Sequence, residues 1–342
     1  MSQYRRRALG DDFGYVPGEQ PPDGGWLKLN TNECPLPPSA RVADAVAEAA
    51  AGLSRYPPPS GEPLRSALAA RHGVQPEQVL LGNGGDDLLS CCYRAYVEPG
   101  ERVVRLDPSY SLFPVLTRMS GGVDVALPLG EGWRLPPRFA SEPAVLRFVV
   151  QPNAPTGTCT SHDLLQQIVD TAEGVVVIDE AYADFAGDSC IGALRGSSWL
   201  VVRTFSKSHA LAGLRVGYAV GDAQLIEDLR SVQDSYPVDR CAIAGALAAL
   251  QDEAHHRLIV DTVLEQRARL TNALRQRGWD VPDSHANFVF AKPPQPSTAR
   301  EVQQRLHEQQ ILVRHFNRSG IDDRLRITVG DAAAVDQLLA AM

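Results

Sequence analysis

Thr204-Phe-Ser-Lys-Ser-His-Ala-Leu-Ala-Gly-Leu-Arg-Val-Gly-Tyr218 is the stretch around which the rest of the chain is organised. The run before it, Trp199-Leu-Val-Val202, is short, apolar and rich in valine, which is typical of a buried strand. Lys207 then stands among small residues, where a bulky cofactor could approach the backbone. A lysine there can form a Schiff base with a carbonyl once its pKa is depressed, because its amine becomes nucleophilic.

Two residues near Lys207 offer groups suited to a phosphate. Arg215 carries a planar cation, and Ser206 adds a short hydroxyl donor. Pyridoxal 5′-phosphate needs one group for its aldehyde and another for its phosphate, so the stretch suggests this cofactor. A Ser-Lys pair alone is usually a solvated surface feature, and the prediction therefore depends on what the rest of the chain supplies.

The composition is that of an ordinary globular protein. Of the 342 residues, 44% are hydrophobic and 22% are charged, which is enough apolar material for a full core. A formal net charge of −8 argues against nucleic-acid or acidic-membrane partners. The six cysteines show neither zinc-ligand spacing nor a disulfide framework, and no run of about 18 apolar residues could span a membrane. We therefore expect a cytoplasmic protein without a metal site.

Apolar strand patterns alternate with helical patterns through the middle of the chain. Each of these strands is apolar throughout, which predicts an α/β fold with a mostly parallel sheet covered on both faces. The end of the chain has long helical patterns and short strands of a different texture. We predict an N-terminal arm over residues 1–37, a large α/β domain over 38–241 and a small α+β domain over 242–342. The arm is either a flexible terminus or a segment folded across an active site.

Several chemically useful residues fall just past predicted strand ends. Ligands in parallel sheets bind at the carboxyl ends of the strands, so these residues are expected to share one site. They are Gly84, Tyr110, Asn153, Asp179 and Lys207. The turn Gly82-Asn-Gly-Gly-Asp-Asp87 also leads directly into a helix, whose free N–H groups could hold an anion.

The requirements of pyridoxal phosphate suggest roles for three of these positions and for Tyr182. Its ring nitrogen must stay protonated, and Asp179 could face it, although a strand-end Asp alone is more often a turn or helix cap. The phenolate oxygen needs donors, which Tyr182 and Asn153 could provide. Tyr110 could contribute a flat partner for the ring face.

A family resemblance is carried by motifs along most of the chain. They are Leu29-Asn-Thr-Asn-Glu33, Arg55-Tyr-Pro57, Gly82-Asn-Gly-Gly-Asp86, Gln151-Pro-Asn-Ala-Pro-Thr-Gly157, Asp179-Glu-Ala-Tyr182, Thr204-Phe-Ser-Lys-Ser208, Ala212-Gly-Leu-Arg215, Arg314 and Leu325-Arg-Ile-Thr-Val-Gly330. From about Tyr15 to the C-terminus, the chain resembles fold-type I aminotransferases. More closely, it is similar to the histidinol-phosphate aminotransferase family.

The resemblance implies a role for each matching residue. Lys207, Asp179 and Tyr182 would be catalytic, with Lys207 as the Schiff-base lysine and the proton-transfer base. The cofactor would be bound by Gly84, Gly85, Asp86, Tyr110, Asn153, Asp179, Tyr182, Ser206, Lys207 and Arg215, and by Tyr56 of the other subunit of a homodimer. Tyr15, Asn32 and Arg314 would bind substrate, with the histidinol phosphate group on Tyr15 and Arg314. Arg326 would bind the glutamate carboxylate.

The activity implied is transamination between L-histidinol phosphate and 2-oxoglutarate in histidine biosynthesis, giving imidazole-acetol phosphate and glutamate. A threonine-phosphate decarboxylase or an aromatic amino acid transaminase would share most of these motifs. A non-catalytic relative would usually lack the lysine or the aspartate, and both Lys207 and Asp179 are present. The chain departs from the usual pattern at Gly85, where Ser or Ala is more common.

Overall fold

The computed structural model describes residues 2, 4–6, 9–10, 13–21 and 24–342. Residues 1, 3, 7, 8, 11, 12, 22 and 23 of the predicted N-terminal arm lie outside the described residues. Two sheets organise the described part of the chain.

The larger sheet has seven strands in the order β2-β8-β7-β6-β5-β3-β4. Its strands are β2 (Val79–Gly82), β3 (Arg102–Asp107), β4 (Val123–Pro128), β5 (Leu146–Val150), β6 (Val175–Asp179), β7 (Trp199–Thr204) and β8 (Gly217–Gly221). All neighbouring pairs are parallel except those that β8 makes with β2 and β7. The predicted mostly parallel α/β sheet is confirmed, with β8 as a reversed strand that the sequence did not indicate.

Helices pack on both faces of this sheet, as its apolar strands require. They are α1 (Ala40–Ala50), α2 (Leu64–His72), α3 (Gly85–Tyr96), α4 (Phe113–Ser120), α5 (His162–Thr171), α6 (Ala223–Val232) and α7 (Arg240–Gln251). Val177 packs with α3 on one face, whereas its neighbours Val176 and Ile178 pack with α5 on the other. Ser39 and Ser161 cap α1 and α5, as their position before an apolar helical pattern predicts.

The smaller sheet has the order β1-β10-β11-β9 and packs with three further helices. Its strands are β1 (Leu27–Leu29), β9 (Phe288–Ala291), β10 (Ile311–His315) and β11 (Leu325–Thr328), and the helices are α8 (Glu253–Gln276), α9 (Ala299–Glu308) and α10 (Ala332–Ala341). The strand β1 belongs to the predicted arm, and Leu27 pairs in parallel with Ile311. The predicted arm therefore contains a strand at residues 27–29, where the sequence has no clear strand pattern.

The long helical pattern near residue 242 is two helices rather than one. Asp252 ends α7 and caps α8 with its carboxylate, which accepts a hydrogen bond from the backbone N–H of His255. Ala246 and Ala249 of α7 pack in the same cluster as Val220 of the larger sheet. The division into 38–241 and 242–342 stays a prediction, and its boundary falls within α7.

Candidate active site

A cavity of about 300 Å³ lies at the carboxyl ends of the parallel strands. Val150, Asp179 and Thr204, at the ends of β5, β6 and β7, form part of its wall. Residues from the arm and from β10 and β11 complete it, so both sheets contribute to one site. Most of the residues that were predicted to share a site at the strand ends line this cavity.

Lys207 lies three residues beyond β7 and reaches into the cavity. Its Nζ donates a hydrogen bond to the backbone oxygen of Thr31 at 3.2 Å. It also lies 5.9 Å from the centre of the Tyr182 ring. Burial, followed by the nearby Arg326 guanidinium, lowers the pKa of Lys207 to about 8. Far more of its amine is therefore unprotonated near neutral pH than in a solvated lysine, whose pKa is about 10.5.

Asp179 is the last residue of β6 and is only 7% exposed. Its Oδ1 accepts a hydrogen bond from the backbone N–H of Ala181 at 3.0 Å. Burial raises the pKa of Asp179 to about 7, because its charge is poorly solvated there. A cationic group placed against it would favour the ionised carboxylate.

A buried hydrogen-bond network fixes Tyr182 beside Lys207. Asn32 Nδ2 donates to the Tyr182 hydroxyl at 2.9 Å. The backbone N–H of Asn32 donates to Thr328 Oγ1 at 2.9 Å, and its backbone oxygen accepts from Asn287 Nδ2 at 3.0 Å. These bonds attach the arm to the smaller sheet. The arm also lines the cavity, in agreement with the predicted alternative in which it folds across an active site.

The start of α3 and the segment after Lys207 form an anion cradle. Gly84 has φ +82° and precedes α3, and a Cβ there would lie 2.5 Å from Arg215 Nη2. The positive φ favours glycine here, and a side chain would also push this guanidinium away from the backbone. Arg215 also approaches Ser206 Oγ and Asp86 Oδ2, at 3.5 Å each. Free N–H groups at the helix start and one guanidinium can together hold a phosphate.

Two tyrosines stand over the cavity. The Tyr110 hydroxyl donates to Asp86 Oδ1 at 2.8 Å, which fixes its ring next to the anion cradle. Tyr15 comes from the arm and meets Tyr110 edge-on, with ring centres 6.1 Å apart. Burial raises the pKa of the Tyr110 phenol, so this hydroxyl stays a donor at neutral pH.

Arg314 and Arg326 are directly paired residues of the antiparallel strands β10 and β11. Both line the cavity that contains Lys207. Arg314 approaches the backbone oxygens of Val16 and Pro17 at 3.4 and 3.5 Å, and Arg326 Nη2 donates to the backbone oxygen of Asn30 at 2.9 Å. Among the described residues, the buried Nε of Arg326 has no hydrogen-bond partner. An anion that binds to this Nε would therefore leave the hydrogen bond between Arg326 and Asn30 in place.

Three predicted residues do not line the cavity, namely Gly84, Asn153 and Tyr56. Asn153 is buried, and its Nδ2 donates to the Pro108 backbone oxygen and to Thr156 Oγ1, at 3.1 and 2.9 Å. Tyr56 is 76% exposed and stacks on Tyr236, with ring centres 4.3 Å apart. Neither side chain reaches Lys207 within this single chain.

Sequence reasoning missed Arg318, which lines the same cavity. It lies in the connection from β10 to β11 and forms an ion pair with Asp107 at the end of β3. This pair links the connection in the smaller sheet to the larger sheet. No sequence signal marks it, because a loop arginine is usually solvated and its partner is more than 200 residues away.

The sequence profile of the family described as Aminotransferase class I and II matches residues 24–342. The chain belongs to this family. The aminotransferase is 43% identical over 348 residues to histidinol-phosphate aminotransferase 2 of Thiobacillus denitrificans, covering 100% of this chain and 97% of that protein. It is 42% identical over 351 residues to histidinol-phosphate aminotransferase 1 of Bordetella parapertussis, covering 100% and 98%. The predicted family resemblance and enzyme class are confirmed.

Solved structures agree with the fold of the aminotransferase. Histidinol-phosphate aminotransferase of Sinorhizobium meliloti, in complex with pyridoxal-5′-phosphate, is 26% identical with a TM-score of 0.87, covering 92% of this chain and 89% of that chain. Aspartate aminotransferase of Thermus thermophilus with maleate is 25% identical with a TM-score of 0.80, covering 92% and 90%. The predicted fold-type I class is confirmed. Among the described residues, no helix is long and apolar enough to cross a membrane.

Proposed function

We propose that this aminotransferase transfers an amino group between L-histidinol phosphate and 2-oxoglutarate in histidine biosynthesis. The observation that carries the proposal is the pair Arg314 and Arg326, which are adjacent on β10 and β11 and line the cavity with Lys207. Two cations allow one pocket to bind a phosphate in one half-reaction and a carboxylate in the other. The names of the relatives from T. denitrificans and B. parapertussis support this substrate.

The cofactor of the aminotransferase is pyridoxal 5′-phosphate, which acts as an electron sink when bound. The residues present fit it. Gly84 opens the start of α3 to a phosphate, and a Cβ at Gly217 would meet the Gly84 carbonyl carbon at 2.6 Å. Arg215 and Ser206 supply further donors toward the same space. This cradle is assigned to the cofactor phosphate, together with the Gly85 backbone and Asp86.

Lys207 and Asp179 are assigned the central chemical roles. The Lys207 amine has its pKa lowered to about 8, which favours the free amine that attacks an aldehyde and later accepts a proton. Asp179 keeps one carboxylate oxygen beyond its bond to Ala181, and that oxygen would hold the proton on the ring nitrogen. Their common position on the cavity wall supports the two assignments.

Tyr182 is assigned to the phenolate oxygen of the cofactor. Its hydroxyl accepts from Asn32, so its own hydrogen is left to donate into the cavity. Tyr110 is assigned to the ring face, where its bond to Asp86 holds it in place. Asn153 remains a candidate second donor, and it would have to give up its bond to Pro108 or Thr156 to act there.

The substrate groups divide between the two arginines. Arg326, with its unpartnered Nε among the described residues, is assigned to the carboxylate of glutamate. Arg314 is assigned to the phosphate of histidinol phosphate, with Tyr15 and Asn32 closing the cavity from the arm. A threonine-phosphate decarboxylase or aromatic transaminase would share much of this site, but the names of the relatives favour histidinol phosphate.

Assembly and location complete the proposal. We infer a homodimer in which Tyr56 reaches the partner's cofactor phosphate, because its exposed ring lies outside its own cavity wall. We infer a cytoplasmic protein, which is supported by six cysteines that all remain as free thiols.

The substitution Arg314→Ala tests the substrate assignment. A charge-assisted bond to a phosphate contributes roughly 1.5–3 kcal/mol. The Michaelis constant for histidinol phosphate should therefore rise by roughly ten- to a hundredfold. The glutamate half-reaction, followed by the change in cofactor absorbance, should change much less because glutamate relies on Arg326.

Arg300→Ala, at an exposed position of α9, is the matched control and should leave both half-reactions intact. Equal damage to both half-reactions by Arg314→Ala would make Arg314 a structural residue. Damage confined to the glutamate half-reaction would reverse the assignments of the two arginines. Wild-type protein that turns over glutamate but not histidinol phosphate would refute the proposed substrate.

A further inference from the structure

A second cluster of chemically active side chains lies outside the wall of the cavity that contains Lys207. Asp184 follows β6 in the turn after Tyr182, His209 is two residues past Lys207, and His256 lies in the first turn of α8. One nitrogen or oxygen atom from each of the three side chains lies within 4.8 Å of the others. The proposed transamination uses none of them.

The hydrogen bonds around Asp184 fix the tautomer of His209. Arg203 forms an ion pair with Asp184 Oδ1, so the ionised carboxylate only accepts hydrogen bonds. Ser208 Oγ donates its single hydrogen to Asp184 Oδ2. The contact of 3.1 Å between Ser208 Oγ and His209 Nδ1 must then be donated by the histidine. Its lone pair is left on Nε2, in the form that binds metals.

His256 supplies a second imidazole, which approaches Asp184 itself. Its side chain is 16% exposed, and its Nε2 lies 3.5 Å from Asp184 Oδ2. Across the described ranges, no group forms a hydrogen bond with that buried nitrogen. The His256 ring lies against His209, with ring centres 4.3 Å apart. Two imidazoles and one carboxylate oxygen therefore converge.

Arg203 does not prevent a cation from binding at this cluster. It pairs with the other carboxylate oxygen of Asp184, and its Nε lies 3.8 Å from the buried Glu180 carboxylate. Two carboxylates thus balance one guanidinium before any metal is counted. A carboxylate ligand that is also hydrogen-bonded on its second oxygen is the usual arrangement around bound metals.

We propose that Asp184, His209 and His256 form a binding site for a divalent transition metal of the zinc class. Imidazole ligands favour Zn²⁺, Ni²⁺ or Cu²⁺ over Mg²⁺ and Ca²⁺. Tetrahedral zinc with bonds of about 2.0 Å places its ligand atoms about 3.3 Å apart. The ligand atoms must therefore close from their present spacing of up to 4.8 Å, and the stacked rings of His209 and His256 must rotate apart as they bind. Solvent completes the coordination shell, because Asp184 and His256 line an open cavity of about 540 Å³.

No sequence pattern marks this site, and the expectation of no metal was based on cysteine spacing. The three ligand residues lie far apart in the chain, and His256 resembles a surface histidine beside His255. The competing explanation is that the 3.5 Å contact between His256 Nε2 and Asp184 Oδ2 is purely structural and binds no metal.

The test is zinc binding to the cofactor-loaded enzyme without substrate, measured by calorimetry and equilibrium dialysis. Wild type should bind one Zn²⁺ per chain at this site, and Mg²⁺ should not compete. His209→Gln and His256→Gln should each weaken binding by at least ~10-fold, since each removes a ligand. His255→Gln is the matched control, because the His255 ring contacts the Pro37 backbone oxygen instead.

Zinc that binds equally well to wild type, His209→Gln and His256→Gln would lie elsewhere, for example in the catalytic cavity, and would overturn the proposal. Effective competition by Mg²⁺ would overturn the choice of metal class. Melting temperatures in a chelator show whether each variant is folded. If one variant does not fold, the other still decides, and zinc should raise the melting temperature of wild type and of His255→Gln but not of His209→Gln or His256→Gln.

Discussion

At the scale of single residues, burial acts on Lys207 and Asp179 in the same sense. It lowers the pKa of the lysine to about 8 and raises that of the aspartate to about 7, so each neutral form is favoured. Both shifts have burial as their largest cause, and both side chains line one cavity. A cationic ring nitrogen beside Asp179 would favour the ionised carboxylate. Asp179 would then be charged while the Lys207 amine stays free to act as a base.

The lowered pKa of Lys207 predicts how fast cofactor-free protein binds pyridoxal phosphate covalently. Only the free amine attacks an aldehyde, so the rate should rise with pH with a midpoint near 8 and then level off. Borohydride trapping followed by mass spectrometry measures the attached fraction. Lys207→Ala should trap none. A midpoint near 10.5, the ordinary value for lysine, would contradict the assignment.

Asp179→Asn should slow the glutamate half-reaction by at least ~100-fold. A neutral amide cannot hold the proton on the ring nitrogen, and buried electrostatic partners are usually worth that much. Stopped-flow absorbance measures the half-reaction. Asp163→Asn, at an exposed position of α5, should be silent. A near-normal rate in Asp179→Asn would remove this residue from the catalytic group.

At the scale of elements, the start of α3 allows two neighbouring glycines to be compared. Gly84→Ala places a Cβ 2.5 Å from Arg215 at φ +82°, whereas a Cβ at Gly85 meets nothing closer than Val202 at 3.8 Å. Gly84→Ala should therefore weaken cofactor binding by at least ~10-fold, and Gly85→Ala should leave it nearly unchanged. Fluorescence titration of cofactor-free protein measures both. Equal affinities would show that the cradle does not hold the phosphate.

Elements with local signals were predictable from the sequence. Ser39 and Ser161 each indicate the start of a helix, and the valine run of β6 indicates a buried strand. The strand β8 was missed because its small residues Gly217 and Gly221 are not typical of strands, and its pairing with β7 is what defines it. Arg318 was missed for a similar reason, because only its ion pair with the distant Asp107 fixes its position at the site.

At the scale of the whole molecule, the sequence predicted that strand ends share a site but not how the second sheet closes it. Arg314 and Arg326 meet because β10 and β11 pair in one specific register. Register depends on the hydrophobic contacts of the completed sheet, so the sequence of either strand alone does not specify it. The arm likewise has weak patterning because its main contacts are to distant residues.

The proposed homodimer predicts that two inactive variants complement each other. Lys207→Ala lacks the lysine, and Tyr56→Ala lacks the proposed contact to the partner's phosphate. In mixed dimers one site would combine an intact Lys207 with an intact Tyr56, so activity should recover toward roughly one quarter of wild type. Steady-state assays after mixing and refolding measure this, with Tyr4→Ala as a control.

Recovery that does not exceed the average of the two separate variants would contradict a shared site. So would full activity in a protein that gel filtration shows to be monomeric. Tyr4 is a suitable control because it is 87% exposed and lies outside the proposed contact.

The pairing of β1 with β10 also sets when the enzyme can first work during its synthesis. Leu27 leaves the ribosome early, but its partner Ile311 is made 284 residues later. At about 5–20 residues per second, roughly 14–57 s separate the two. Thr31, whose backbone oxygen accepts the hydrogen bond from Lys207, lies just after β1. Thr31 therefore reaches its final position only when β1 has paired with β10. The nascent chain can build its larger sheet during this interval, but its catalytic pocket is completed only near the end of translation.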